Sequence, residues 1–470
     1  MSVTLLTALL LQAIAIGLLR RRLGRLWLRR PVTLLVVTST VYQGISPVLL
    51  TLPSVRVWDN FRIGVRQSFV DDATLILSAG MLAFTIAYLL TRPERVSCSA
   101  GETDIRVAVK ALDWRFLALA CAPLAVLTYQ GKGYNNGTLT IGAGAPLASS
   151  LASTFFVILV ALAALGFVLK HGPQWFLPTL LAQSLLLAAA GERTPVVVDG
   201  ITLIVLLCHA GYRPSGRQMQ AATGLTLIAV LAITGVRAER GRSLFYNNSG
   251  LSARVTALGG GLTALGSSSG ADGPGLIAQA AVRLDGVDFA GAILQSVNFG
   301  RPRLSAGEVP ESLLLAVPSA IWLSKLDHQL NPVAMEISDL GLQNINFLPG
   351  LAGMYVGFLS PLWLILFLAL LGAVCGRAER VLFRRWTPAR MVLLAGAVTA
   401  ALHYEQGLPG MLTVLRSAVV IMLAVKVTGA LQSRKDEPCR PRTMASPELS
   451  LARLPGDPRQ GGPELSRCSG

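Results

Sequence analysis

Charge is what this chain has least of: Asp, Glu, Lys and Arg make up 14% of its 470 residues, against roughly a quarter in ordinary globular proteins. With 52% hydrophobic residues and a mean hydropathy of +0.57, its solvent must be largely lipid. The same figures exclude a disordered chain, and six cysteines in this length exclude a small disulfide scaffold. Histidine is scarce too. His171, His209, His328 and His403 are dispersed, with no pair at helical spacing, so neither a metal site nor a Ser/His/Asp triad is expected. There is no Gly-x-x-x-x-Gly-Lys-Ser/Thr phosphate loop, and no internal repeat of the kind secondary transporters carry.

What is abundant is long apolar runs. About 20 residues are needed to cross roughly 30 Å of hydrocarbon as a helix, and eleven segments qualify or come close: 2–19, 31–53, 70–91, 116–130, 147–169, 174–190, 195–210, 221–236, 351–376, 391–406 and 409–430. The fold class expected is all-α, a polytopic membrane protein with about eleven transmembrane helices and one large, partly helical extracytoplasmic loop. Helices 1–8 occupy residues 1–236, the loop domain 237–350, helices 9–11 residues 351–430, and a disordered cytoplasmic tail 431–470.

The net charge of +16 sorts by position. Arg20, Arg21, Arg22, Arg25, Arg29 and Arg30 follow the first apolar run rather than precede it, which argues against a cleavable signal peptide and for an N-terminus outside. Alternating from there, the segments expected inside carry Arg92, Arg95, Arg106, Lys110 and Arg115, then Lys170, then Arg213 and Arg217, then Arg377, Arg380, Arg384, Arg385 and Arg390. Outer connections are sparse in cations. The reading is a multi-pass protein of the cytoplasmic (inner) membrane, N-terminus outside and C-terminus inside, with no nucleic-acid partner. No cysteine falls in an outer loop, so no structural disulfide is expected.

The long connection after Arg237 breaks the pattern of short loops. Its eight cations nearly balance Glu239, Asp272, Asp285, Asp288, Glu308, Glu311, Asp327, Glu336 and Asp339. Its apolar stretches at 276–294 and 312–326 point to a small helical domain on the outer membrane face, with a Gly/Ser-rich hinge over 259–275.

Ionisable groups inside spans are costly and mark function by default. Asp71, Asp72, Glu192, Arg193, Asp199, His403, Glu405 and Arg416 all fall in the outer third under this topology, which suggests a shared polar cavity facing the loop. Arg193, Arg237, Arg240, Arg242, Arg254, Arg283, Arg301, Arg303 and Lys325 then supply cations for a phosphate, and a lipid-linked pyrophosphate presents its head group at that depth. Glycosyl transfer from such a donor needs cations on the departing pyrophosphate and a carboxylate to take the acceptor's proton. No metal or cofactor is required.

Three stretches between about Gln174 and Ala430 resemble the Wzy-type O-antigen or oligosaccharide repeat-unit polymerases. They are the helix-turn-helix around Gly191-Glu-Arg-Thr-Pro195, the late outer loop with Val282-Arg-Leu-Asp-Gly286 and Ile321-Trp-Leu-Ser-Lys325, and Leu348-Pro-Gly-Leu-Ala-Gly-Met-Tyr-Val-Gly-Phe358 leading into a span. The chain departs from the family where Arg240 and Gly250 stand one residue closer than the usual spacing and Met354 replaces an acid before Tyr355. The resemblance implies a membrane glycosyltransferase polymerising undecaprenyl-pyrophosphate-linked oligosaccharide repeat units outside the membrane, in company with a flippase and a chain-length regulator. It points to Arg193 and Arg283. Taken with the residue reading, the expected catalytic groups are Asp199, Arg283, Asp285 and Glu336, and the substrate-binding cations Arg193, Arg240, Arg242 and Lys325. An O-antigen ligase, another lipid-phosphate-sugar transferase, or a flippase for a lipid-linked saccharide are the alternatives.

Overall fold

The computed structural model describes residues 2–50, 65–91, 114–130, 146–188, 193–240, 256–258, 287–298, 317, 350–356, 359–384, 386–404 and 407–435. Among them there is no strand, and twelve α-helices of ten residues or more order the chain: α1 (Val3–Leu23), α2 (Pro31–Thr40), α3 (Gln67–Leu90), α4 (Trp114–Gln130), α5 (Pro146–His171), α6 (Phe176–Ala188), α7 (Arg193–His209), α8 (Gly216–Arg240), α9 (Val287–Asn298), α10 (Pro361–Phe383), α11 (Pro388–Leu402) and α12 (Gly407–Lys435). The chain divides into two compact units, Met1–Lys426 and Val427–Gly470.

The described residues of each of the eleven apolar segments are wholly or largely helical. Among the described residues, four helices are both long and apolar enough to cross a membrane, α1, α3, α10 and the Gly410–Val427 part of α12. The protein is therefore a helical membrane protein. Most of the 237–350 connection lies outside the described residues, as do the Gly/Ser-rich stretch and the tail beyond Lys435.

Local chemistry sets the ends of the helices. Ser2 caps α1, its hydroxyl accepting from the Leu5 N–H at 3.1 Å, and Thr387 caps α11 through the Arg390 N–H at 3.3 Å. Pro31, Pro361 and Pro388 open α2, α10 and α11, where a missing N–H costs nothing. The span expected from residue 351 begins only at Pro361. Before it the chain makes a short helical turn, Gly350–Gly353, and a 3-10 turn, Met354–Val356, because Ser360-Pro361 is a start signal stronger than the apolar run that precedes it. At the far end of α7, Gly211 adopts φ 81° and lets the Tyr212 N–H reach back to the Leu207 carbonyl at 3.0 Å, the six-to-one bond of a Schellman cap.

Packing follows small residues. Along α10 the buried stripe is Leu364, Leu368, Gly372, Gly376 and Glu379, while Leu362, Trp363, Leu366, Leu370 and Val374 are exposed, the apolar side turned outward as lipid requires. Gly372 and Gly376 let α10 press on α3: a methyl group at Gly372 would sit 2.2 Å from the Phe84 carbonyl oxygen. This is the small-xxx-small approach used where no hydrophobic force drives helices together. Buried on nearly all sides from Phe156 to Val168, α5 packs against α4, α6, α7 and α11. Across the start of α3 lies α9, with the Arg66 N–H donating to Gln295 Oε1 at 2.8 Å.

Candidate functional site

α6 and α7 form the hairpin that holds Asp199. Pro195 sits in the first turn of α7, where helix N–H groups have no carbonyl to meet, so the helix tolerates it. Six residues on from Arg193, about 9 Å along the axis, Asp199 is fully buried. Gln183 of α6 donates its Nε2–H to Asp199 Oδ2. Asp199 Oδ1, Gln183 Oε1 and the Ser184 hydroxyl, all buried, have no hydrogen-bond partner among the described residues. A carboxylate so placed costs several kcal/mol unless something further meets it. One turn deeper, Thr202 Oγ1 lies 3.4 Å from Thr399 Oγ1 of α11, and the Thr399 carbonyl accepts from His403 Nδ1 at 2.8 Å. Asp199 and His403 thus belong to one α6–α7–α11 seam.

A second polar group stands beside it at a break in a helix. After α2 the chain runs through a π turn, Val41–Ile45, and then one further α turn, Ser46–Leu50. π turns cluster at functional sites. Here the turn presents Gln43, whose Nε2–H is donated to the Tyr404 hydroxyl; Ser39 Oγ donates to Gln43 Oε1 at 2.9 Å. The Tyr42 ring lies 5.6 Å from that of Tyr404. Gly44 is where α1 approaches, since a Cβ there would meet Gln12 Oε1 at 2.1 Å, and Gln12 Nε2 donates across to Ser78 of α3 at 2.8 Å.

At the opposite end of the bundle is a third cluster that sequence reasoning missed. Arg30 Nη1 lies 3.1 Å from Glu379 Oε2 and donates to the Tyr88 hydroxyl at 3.3 Å; Tyr88 in turn donates to Glu379. All three are buried. The carboxylate also receives the Val32 backbone N–H, so Glu379 caps the first turn of α2 from another helix and sits where the helix dipole favours an anion. Arg30 lies over the Phe383 ring at 5.5 Å. His209 stacks on the same ring at 5.4 Å and donates Nε2–H to the Arg29 carbonyl at 2.8 Å.

Of the expected site residues, Asp199 is placed fully. Arg193 opens α7 and Arg240 ends α8, their side chains outside the described residues. Arg242, Arg283, Asp285, Lys325 and Glu336 lie outside them altogether, as do Glu192 and Glu405. The shared cavity expected for the outer-third charges is not seen among the described residues. Asp71 accepts from Gln67 within α3 at 2.9 Å, and Asp72 lines a cleft of about 620 Å³ with Phe69, Leu294 and Asn298, between α3 and α9. Asp199 and His403 are in the separate seam. No group of His, Cys, Asp and Glu able to hold a metal occurs among the described residues.

No protein-family model, curated protein or solved structure matches the chain. Its functional reading therefore rests on its own residues.

Proposed function

We propose that the protein is a membrane glycosyltransferase that polymerises polyprenyl-pyrophosphate-linked oligosaccharide repeat units at the outer face of the cytoplasmic membrane, through eleven spans with the N-terminus outside. The observation that carries this reading is Asp199: a buried carboxylate with one oxygen unpartnered among the described residues, about 9 Å along α7 from Arg193. A carboxylate so held is oriented by Gln183 and keeps one oxygen to accept a proton, as suits a general base.

In the reaction proposed, the acceptor sugar's hydroxyl oxygen attacks the anomeric carbon of the donor. The bond from that carbon to the pyrophosphate breaks, its electron pair leaving with the pyrophosphate, and the hydroxyl proton passes to Asp199. Arg193, Arg240, Arg242, Arg283 and Lys325 neutralise the leaving group, work that needs no metal. Asp285 and Glu336 are the alternative bases. The partners implied are the lipid-linked oligosaccharide, a flippase that delivers it and a regulator of chain length.

In cells whose surface glycan depends on this chain, Asp199→Asn is expected to shorten the glycan to single repeat units, with a rate loss of about 100-fold or more, and Arg193→Ala to shorten it too. Full-length glycan from both variants, inserted at normal levels, sinks the assignment.

A second reading, a flippase for the same lipid-linked saccharide, is favoured by one feature. The π turn that interrupts the helix after Thr40 resembles the broken helices from which transporters build their sites. Retention of unpolymerised units on the inner leaflet after deletion supports that reading, whereas their display outside supports the polymerase.

A further inference from the structure

Next to the Asp199 seam, with Gln183 shared between the two, a groove of about 400 Å³ runs between α4, α5 and α6. Its depth comes from small side chains, Ala118, Ala163, Ala164 and Ala182, and its walls are almost wholly apolar. Along α6 and the 3-10 turn Pro173–Trp175 before it, the groove extends from Trp175 to Leu186. Eleven residues of helix rise about 16 Å, half of a hydrocarbon core roughly 30 Å thick, so the groove spans one leaflet.

One end of it is built unlike the other. Trp114, Phe167, His171 and Trp175 close there into an aromatic cluster, with Phe167 stacked on His171 at 4.3 Å and Trp114 edge-on to Phe167 at 5.1 Å. Tryptophan at a helix end marks the membrane–water interface. Two exposed cations rest over the Trp114 ring, Arg115 at 5.7 Å and Lys170 at 5.8 Å. Gly166 fixes the arrangement, since any Cβ there would come within 2.7 Å of Trp114 Cβ. An apolar slot one leaflet deep, with two cations at its interfacial mouth, has the chemistry of an amphiphile with a single-leaflet chain and an anionic head.

We propose that this groove binds an anionic diacyl phospholipid, one acyl chain lying along the alanines and the phosphate meeting Lys170 and Arg115. The length of the groove favours this occupant over a polyprenyl phosphate, whose chain is longer than one leaflet is deep. The site shares Gln183 with the Asp199 seam, yet the proposal rests on the groove and its two cations and not on the glycosyl-transfer reading.

The test uses the full-length protein purified in detergent and offered equal amounts of phosphatidylglycerol, phosphatidylcholine and a polyprenyl phosphate, the retained lipid being quantified by mass spectrometry. Wild type is expected to retain phosphatidylglycerol over phosphatidylcholine by about 30-fold, the effect of two cations on an anionic head. Lys170→Gln, an exposed change that leaves the packing intact, lowers the preference to about fivefold or sixfold. Lys170→Gln combined with Arg115→Gln removes it, and Ala182→Trp, which fills the groove, lowers retention of both diacyl lipids. Equal retention of the two diacyl lipids by wild type, an undiminished preference in the double variant, or a preference for the polyprenyl phosphate overturns the proposal.

Discussion

At the residue scale, burial of charge separates what the chain displays from what it conceals. Asp199 stands out in the sequence because it is the one acid in the apolar run 195–210, and the structure puts it in a buried seam with Gln183. Glu379 does not stand out. It lies in Gly376-Arg-Ala-Glu-Arg380, among arginines that read as a cytoplasmic anchor. Its partner, Arg30, is 349 residues away, and no local pattern announces a contact so distant. Removing one member of a buried ion pair strands the other. Glu379→Ala is therefore expected to destabilise the purified protein by about 3 to 5 kcal/mol, and Arg30→Met similarly. The double variant should lose much less than the sum, because neither charge is left alone. Thermal unfolding in detergent measures all three; simple additivity would mean that the pair is not coupled.

At the scale of elements, apolar length alone pointed to eleven segments whose described residues are largely helical, because a run of that size has few other ways to satisfy its backbone in lipid. What escaped were the features set by neighbours. The π turn at Val41–Ile45 is placed where Gly44 meets Gln12 of α1, and the delayed start of α10 depends on Ser360 and Pro361 overriding hydropathy. The close seam of α3 and α10 rests on Gly372 and Gly376, which look ordinary in an apolar segment. Gly372→Ala places a methyl against the Phe84 backbone and is expected to destabilise by about 1 to 3 kcal/mol, the usual range for overpacking. Gly17→Ala in α1 is its control. Nothing lies within 4 Å of a Cβ there, so that change should be neutral or stabilise by up to about 1 kcal/mol through helix propensity. Equal thermal shifts for the two variants would deny the glycine seam its role.

At the scale of the molecule, α3 carries a polar residue near each end. Asp71 and Tyr88 are separated by about 25 Å of helix, near the thickness of the hydrocarbon core. The Arg30–Tyr88–Glu379 cluster closes one end of the bundle. Asp199, His403 and the Gln43–Tyr404 pair lie toward the other. The sequence separates these ends by the placement of its cations, yet it does not tell which polar residues share a seam: Asp72, expected at the depth of Asp199, lines the cleft against α9, and Asp71 bonds to Gln67 within its own helix. Depth is a property of position along a helix, whereas a site also needs helices to face one another.

The central claim is that Asp199 accepts a proton during transfer of a sugar from a lipid pyrophosphate. Its most direct test is to reconstitute the purified full-length protein in vesicles with a lipid-linked repeat unit and to follow glycan length together with released polyprenyl pyrophosphate. Wild type should form glycans of several repeats, releasing one polyprenyl pyrophosphate for each bond made, with chelators present throughout. Asp199→Asn should slow both by about 100-fold or more while still binding the lipid-linked unit. Undiminished polymerisation by Asp199→Asn, or transbilayer movement of the unit by wild type without any elongation, would contradict the account.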